Sequence, residues 1–174
     1  TTVVAGHAIR PRRAENAFSL RKDLLFVGAL REDDSPNVDS LVWFTEQCWP
    51  AIRTAEPEIK LVVVGDNPAP SLNEINDKRI IFKGRQASIE PFYDACRIFI
   101  APTRFAAGIP YKVHEAAANG LPSVVTPLLA GQLNWSHDSE LLVAESAEQF
   151  AEQCLRLYRS PELWARLQEG GLSA

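Results

Sequence analysis

Methionine is missing altogether from the 174 residues, and the first position is a threonine. That composition is expected of a piece, or a processed form, of a longer translation product. Cysteine is scarce. Cys48, Cys96 and Cys154 are odd in number and far apart, which argues against a disulfide framework or a Cys-x-x-Cys metal site and points to a reducing compartment. No apolar run approaches the roughly 20 residues that span a bilayer, and no charged-then-apolar leader opens the chain, so it is expected to be soluble. Positive charge is in the minority, with 18 Lys and Arg against 22 Asp and Glu and a formal net charge of -4. A global attraction to nucleic acid is excluded on that balance, and any phosphate binding has to be local.

What is present is a core. Hydrophobic residues make up 46% of the chain and charged ones 23%, enough for one globular domain that buries about 70% of its unfolded surface. Residues 1–22 stand apart: five basic residues against one acidic, without periodicity, as expected of an arm or interdomain linker whose Arg10, Arg12 and Arg13 form a solvated cluster. The domain proper runs over 23–174.

There the pattern is regular. "LLFVG" (24–28), "KLVVVGD" (60–66), "RIIFKG" (79–84), "RIFIAP" (97–102), "PSVVTP" (122–127) and "ELLVAE" (140–145) are nearly unbroken apolar runs, the signature of strands buried on both faces. Between them lie segments of helical length, including "NVDSLVWFTEQCWPAIR" (37–53), "SIEPFYDAC", "PYKVHEAAANG" and "SAEQFAEQCLRLY". "SPELWARLQEGG" adds a last helix with Ser160 as N-cap and Pro161 at its first position. Six strands alternating with helices predict an α/β fold, a doubly wound parallel six-stranded sheet of Rossmann-like type. Ligands of such sheets sit beyond the carboxyl ends of the strands, so the residues to watch are Gly28–Asn37, Gly65–Pro68, Gly84–Gln86, Thr103–Pro110 and Thr126–Gln132.

The segment "RFAAGIPYKVHEAAANG" (104–120) carries the densest chemistry. With Ile109 to Asn119 taken as a helix and Pro110 near its first position, Ile109, Val113, Ala116 and Ala117 share a core face. Gly108, Lys112, Glu115 and Asn119 share another. Free amides at the helix start, with Arg104 and Lys112 beside them, suit a diphosphate, and Glu115 one turn below suits a vicinal diol. Spacing alone equally allows Lys112 and Glu115 to be a surface ion pair of little energetic value. His114 falls on the Tyr111 and Ala118 side and reads as a packing residue. Asp33, Asp34 and Asp66 read as caps and turns, and no metal site is visible.

Taken in order, "LLFVGAL", "PNVDSLVWF", "KLVVVGD", "FYDACRIFIAPTRFAAGIPYKVHEAAANGLPSVVT" and "ELLVAESAEQFAEQCLRLY" resemble the C-terminal, donor-binding domain of a family 4, or group 1, GT-B glycosyltransferase. The resemblance covers nearly the whole chain from about residue 22. It implies a parent enzyme of polysaccharide biosynthesis that transfers a sugar from a nucleoside diphosphate sugar, usually with retention. The acceptor, a glycan, lipid or protein, would be bound by an N-terminal domain absent from these residues, so that the isolated fragment would not turn over. It implies no cofactor beyond the donor, no metal, and a location in the cytoplasm or peripheral at the inner membrane face. Donor-binding positions are then Gly28, Gly65, Arg85, Gln86, Gly108, Ile109 and Glu115, the last on the nucleotide ribose; Arg104 and Lys112 would stabilise the departing diphosphate.

Two departures from the family pattern stand out. The signature glutamate that family members carry ahead of the ribose glutamate is replaced by Ala107, which leaves the sugar-orienting role unassigned. After the first strand, where many members carry an arginine and then a lysine, "GALREDDSPN" offers Arg31 followed by Asp33, Asp34 and Asn37. Two other readings follow: a non-catalytic nucleotide-sugar-binding module, and a phosphoacceptor receiver domain with "EDD" as its acidic cluster.

Overall fold

A computed structural model of the protein describes residues 9–12 and 16–174. Six strands appear where the apolar runs lie: β1 (Lys22–Val27), β2 (Leu61–Val64), β3 (Ile80–Phe82), β4 (Cys96–Ala101), β5 (Ser123–Val125) and β6 (Leu142–Val143). They form one sheet in the order β3-β2-β1-β4-β5-β6, and every pairing is parallel. The runs are unbroken because both faces are covered. Leu24 and Phe26 of β1 point into a core with Ile98, Ile100, Val124 and Leu142, whereas Leu25 joins Val62, Val64, Phe99 and Val125 on the opposite face.

Helices α1 (Pro36–Trp43), α2 (Trp49–Ala55), α6 (Ala147–Arg159) and α7 (Pro161–Ser173) cover the first core, and α3 (Glu90–Ala95), α4 (Tyr111–Ala118) and α5 (Pro127–Leu133) cover the second. Ser146 and Ser160 cap α6 and α7, their hydroxyls accepting from Gln149 N at 3.1 Å and Leu163 N at 3.2 Å. Burial pushes the Cys48 and Cys96 thiols up to about 12 and Cys154 well above its ordinary range. All three are packing residues rather than nucleophiles.

Several expectations need correction. The segment 37–53 is not one α-helix, because a single π turn, Phe44–Cys48, separates α1 from α2. Pro50 at the start of α2 has no N–H to donate and its ring crowds the preceding turn, and the widened turn accommodates it. The receiver reading fails on topology: such domains place β1 between β2 and β3 in a five-strand order, whereas here β1 lies between β2 and β4. Arg12 is not solvated. Its guanidinium grips both carboxylate oxygens of Asp94 at 3.1 and 2.9 Å and donates to Asn119 Oδ1 at 3.0 Å. Arg10 is exposed, and Arg13 lies outside the described residues.

Two glycines inside α7 permit a close approach. A Cβ on Gly171 would meet the Ala117 Cβ of α4 at 3.2 Å, and one on Gly170 would lie 2.0 Å from the Ser139 carbonyl oxygen. Gly170→Ala is therefore expected to destabilise the chain by about 2 kcal/mol, the overpacking outweighing the roughly 1 kcal/mol that alanine gains in helix propensity. A urea titration with a lowered midpoint and an unchanged slope is the measurement.

Candidate functional site

Strand order reverses between β1 and β4, so the connections leaving these two strands part in opposite directions and open a crevice at their carboxyl ends. Its floor is bare backbone. The Gly28 N–H donates to the Val64 carbonyl at 3.0 Å and the Gly65 N–H to the Gly84 carbonyl at 2.9 Å. Gly65 adopts φ +140°, and a Cβ there would lie 1.9 Å from the Gly28 oxygen. Only glycine fits. Two cavities meet at Val27 and Gly28. One, of about 350 Å³, is lined by Asn37, Thr103, Gly108, Ile109, Lys112 and Gln132 among others. The second, of about 300 Å³, is lined by Arg31, Gly65, Asp66, Arg85, Gln86 and Ile89 among others.

Lys112 is the cation of the first cavity. Its stem is largely buried, its Nζ donates to Asn37 Oδ1 at 2.8 Å and lies 5.3 Å from the centroid of the Phe26 ring. Among the described residues no carboxylate pairs with it, and desolvation pulls its pKa from 10.5 to about 8. The ammonium is held next to the dry end of β1 with its charge uncompensated.

Arg104 is not brought to the same place. Its Nε and Nη2 both donate to the Asp39 carboxylate on α1, its guanidinium sits 5.8 Å from the Trp43 ring centroid, and those hydrogen bonds raise its pKa. It lines a separate cavity of about 520 Å³ with Trp43, Glu46 and Ser71. In the second cavity, Arg31 is likewise occupied, its Nε 3.1 Å from Asp66 Oδ2.

Helix α4 starts at Tyr111, with Pro110 as the capping residue and no side-chain cap; the Tyr111 N–H donates to the Ile109 carbonyl at 2.9 Å and the Val113 N–H to the Pro110 carbonyl at 3.0 Å, which leaves the Lys112 N–H as the open amide of the first three. Two residues are thereby removed from the expected helix. Ile109 is 56% exposed at the cavity rim rather than part of the core, whereas Val113, Ala116 and Ala117 are buried as expected. Gly108, at φ +91°, has open space where a side chain would project. Ala107 also lines the first cavity. Glu115 is exposed and lines neither cavity. Its carboxylate acts on the buried Tyr93 hydroxyl, whose pKa is pushed up by burial and then by that charge. Arg85 is exposed, and Gln86 folds back to donate from Nε2 to the Lys83 carbonyl at 2.6 Å.

His114 is half-buried with its ring edge-on to Trp135 at 5.0 Å. Asp33 accepts from the Ser71 N–H at 3.1 Å and hydroxyl at 2.6 Å. Among the described residues no group of three or more His, Cys, Asp or Glu could hold a metal ion. Three residues lie in the strand-end segments singled out from the sequence but were given no role there: Asn37, which bonds Lys112, and Thr103 and Gln132, whose buried Oγ1 and Oε1 beside the first cavity have no partner among the described residues. Asn37 follows the helix-starting Pro36 in the loop where many family members carry a lysine, and neither position announces a bond to Lys112.

A sequence profile of the glycosyl transferases group 1 family matches residues 21–160. The chain belongs to that family. Over 142 residues it is 25% identical to an uncharacterized 44.6 kDa protein in the cps region of Klebsiella pneumoniae, covering 76% of this chain and 36% of that protein. The chain thus spans about a third of that relative's length.

Solved group 1 structures share the fold at low identity. The C-terminal domain of the glycosyl transferase group 1 protein LpcC from Francisella tularensis superposes with a TM-score of 0.72 at 19% identity, over 92% of this chain and 91% of that one. A mutant of S. aureus TarM, in complex with fondaparinux, alpha-GlcNAc-glycerol and UDP, gives a TM-score of 0.77 at 14% identity, over 94% of this chain and 34% of that one. This group 1 chain has the Rossmann-like half of a GT-B fold, and no helix among its described residues is long and apolar enough to cross a membrane.

Proposed function

We propose that the strand-end crevice binds the nucleoside diphosphate part of a sugar donor, and that a longer protein containing residues 23–174 transfers that sugar, with retention, to an acceptor held by another domain. Residues 1–22 would link the two. The observation that carries this reading is Lys112, a half-buried, desolvated ammonium that no carboxylate pairs among the described residues, beside the Gly28 and Gly108 backbones at the start of α4. A desolvated cation of this kind is costly to the empty protein and is matched by an anion.

In this reading Lys112, through its ammonium and its open main-chain N–H at the start of α4, takes the diphosphate and stabilises the charge that develops as it departs. Gly28 and Gly65 allow its close approach. Glu115, exposed one turn further on, takes the ribose, and the backbone at Arg85 and Gln86 takes the base. Ile109 and Gly108 close the rim. Arg104 reaches the diphosphate only by leaving Asp39, so Arg104→Ala is expected to weaken nucleotide binding less than Lys112→Ala does. The TarM complex with UDP puts uridine first among the bases to try.

The test is a thermal and calorimetric panel of UDP, GDP, ADP and dTDP and their sugars. Ligand at about 100 times its Kd is expected to stabilise the chain by about 2.7 kcal/mol, and Glu115→Ala to cost about tenfold in affinity, or about 1.4 kcal/mol. No response to any nucleotide would sink this reading. Unchanged affinity in Glu115→Ala would remove the ribose role from it. The chain by itself is expected to bind donor without transferring the sugar.

A further inference from the structure

Asn37 sits at the second position of α1 and its side-chain amide is used at both ends. Nδ2 donates to the Ala29 carbonyl at 3.1 Å, and Oδ1 accepts from Lys112 Nζ at 2.8 Å. The two ends cannot be exchanged, since a carbonyl can only accept and an ammonium can only donate. The amide also lies flat on the backbone: a Cβ built on Gly28 would meet Asn37 Cγ at 2.9 Å. One residue therefore ties the end of β1, the start of α1 and the ammonium of α4 together.

We propose that Asn37 is the positioning residue of the crevice, fixing the Lys112 ammonium by a neutral acceptor so that its charge and its remaining N–H bonds are available to a diphosphate; this rests on the nucleotide-binding reading above. Neutrality is the point. A carboxylate at the same distance would hold the ammonium as firmly and cancel the charge the ligand needs. The charged groups on the surrounding elements are committed elsewhere. Asp39 of α1 is taken by Arg104 from the loop after β4, and Asp66 after β2 by Arg31 from the loop after β1. On α4 itself, Glu115 lies outside the cavity of Lys112, close enough to Tyr93 to act on its hydroxyl, and His114 packs on Trp135. On the α5 side the lining residues Leu129 and Gln132 carry no charge. Asn37 is thus the polar partner through which Lys112 is placed.

The experiment is calorimetric titration of whichever of UDP, GDP, ADP and dTDP binds best, into wild type, Asn37→Asp and Asn37→Ala, between about pH 6.5 and 9.5. Lys112 loses its proton near pH 8 in the empty chain, so wild-type affinity should fall above that pH, by up to about tenfold per pH unit. Asn37→Asp, nearly isosteric, should lower affinity at neutral pH by about tenfold or more and move the fall to higher pH, because the new carboxylate favours the ammonium. Asn37→Ala should lower affinity without that upward move.

If Asn37→Asp folds poorly, a double-mutant cycle through Lys112→Met decides, with Asn37→Ser in place of Asn37→Ala if that variant folds poorly too: the loss at Asn37 should largely vanish in the Lys112→Met background. Wild-type binding together with unchanged affinity and an unchanged pH profile in Asn37→Asp would overturn the assignment and leave the nucleotide reading standing. Failure of the wild type to bind any of the four would overturn both.

Discussion

Lys112→Met should raise the melting temperature of the ligand-free chain and, in the same protein, lower nucleotide affinity by about 100-fold without abolishing it. Desolvation is the cause of the first effect. Lys112 has its pKa pulled from 10.5 to about 8 by burial, so the folded state disfavours the ammonium by up to about 3 kcal/mol relative to the unfolded chain. Methionine has a similar length, fills the same channel beside Phe26, and carries no charge. Allowing for the lost bond to Asn37, a net gain of about 1–2 kcal/mol is expected, or roughly 3–6 °C for a chain of this size.

The same shift fixes how stability varies with pH. Between pH 8 and 10.5 the unfolded chain binds the proton that the folded chain has shed, so wild-type stability rises across this window. The advantage of Lys112→Met should be full below about pH 8 and gone above about pH 10. Scanning calorimetry at both ends, with UDP titrations alongside, is the measurement; a variant less stable than wild type at neutral pH would contradict the role given to desolvation. A stabilising substitution that weakens binding is the expected mark of a residue kept for its ligand.

Gly65→Ala should be the more damaging backbone change. At φ +140° an alanine is strained before any neighbour is considered, and its Cβ would lie 1.9 Å from the Gly28 carbonyl oxygen. Neither backbone can yield easily. Gly28 N–H is bonded to Val64 O and Gly65 N–H to Gly84 O, so moving one connection moves the ends of β1, β2 and β3 together. We expect a loss of about 3–5 kcal/mol, the sum of an overpacking cost and backbone strain, measured as a lowered urea midpoint. Gly108→Ala makes the comparison clean: it is strained at φ +91° but meets nothing within 4 Å, so about 1–2 kcal/mol is expected.

The sheet was legible because its signal is local. A strand buried on both faces has to be apolar along its whole length, and each of the apolar runs became a strand. Helix α4 was legible as a helix but not in its start: Ile109 has the right spacing for the core, yet the positive φ of Gly108 and an inverse γ-turn at Pro110, closed by the Tyr111 N–H on the Ile109 carbonyl at 2.9 Å, hold the helix off until Tyr111. The charge arrangement was not legible at all. Arg104 and Lys112 lie close together in sequence and look alike there, but their fates are decided by Asp39 and Asn37, 65 and 75 positions away. No periodicity reports on a partner at that distance. The strand pattern supplied the crevice, the resemblance to a known family supplied the ribose role expected of Glu115, and only the three-dimensional arrangement separated the uncompensated cation from the paired one.

The arm's anchor point has a mechanical reading. Arg12 is fastened to the far end of α4, through its main-chain N–H to Ala118 O and its guanidinium to Asn119, and the same guanidinium holds Asp94 of α3. A helix of 8 residues is a rod about 12 Å long. One end of that rod is tied to the chain that enters the domain, and Lys112 stands at the other.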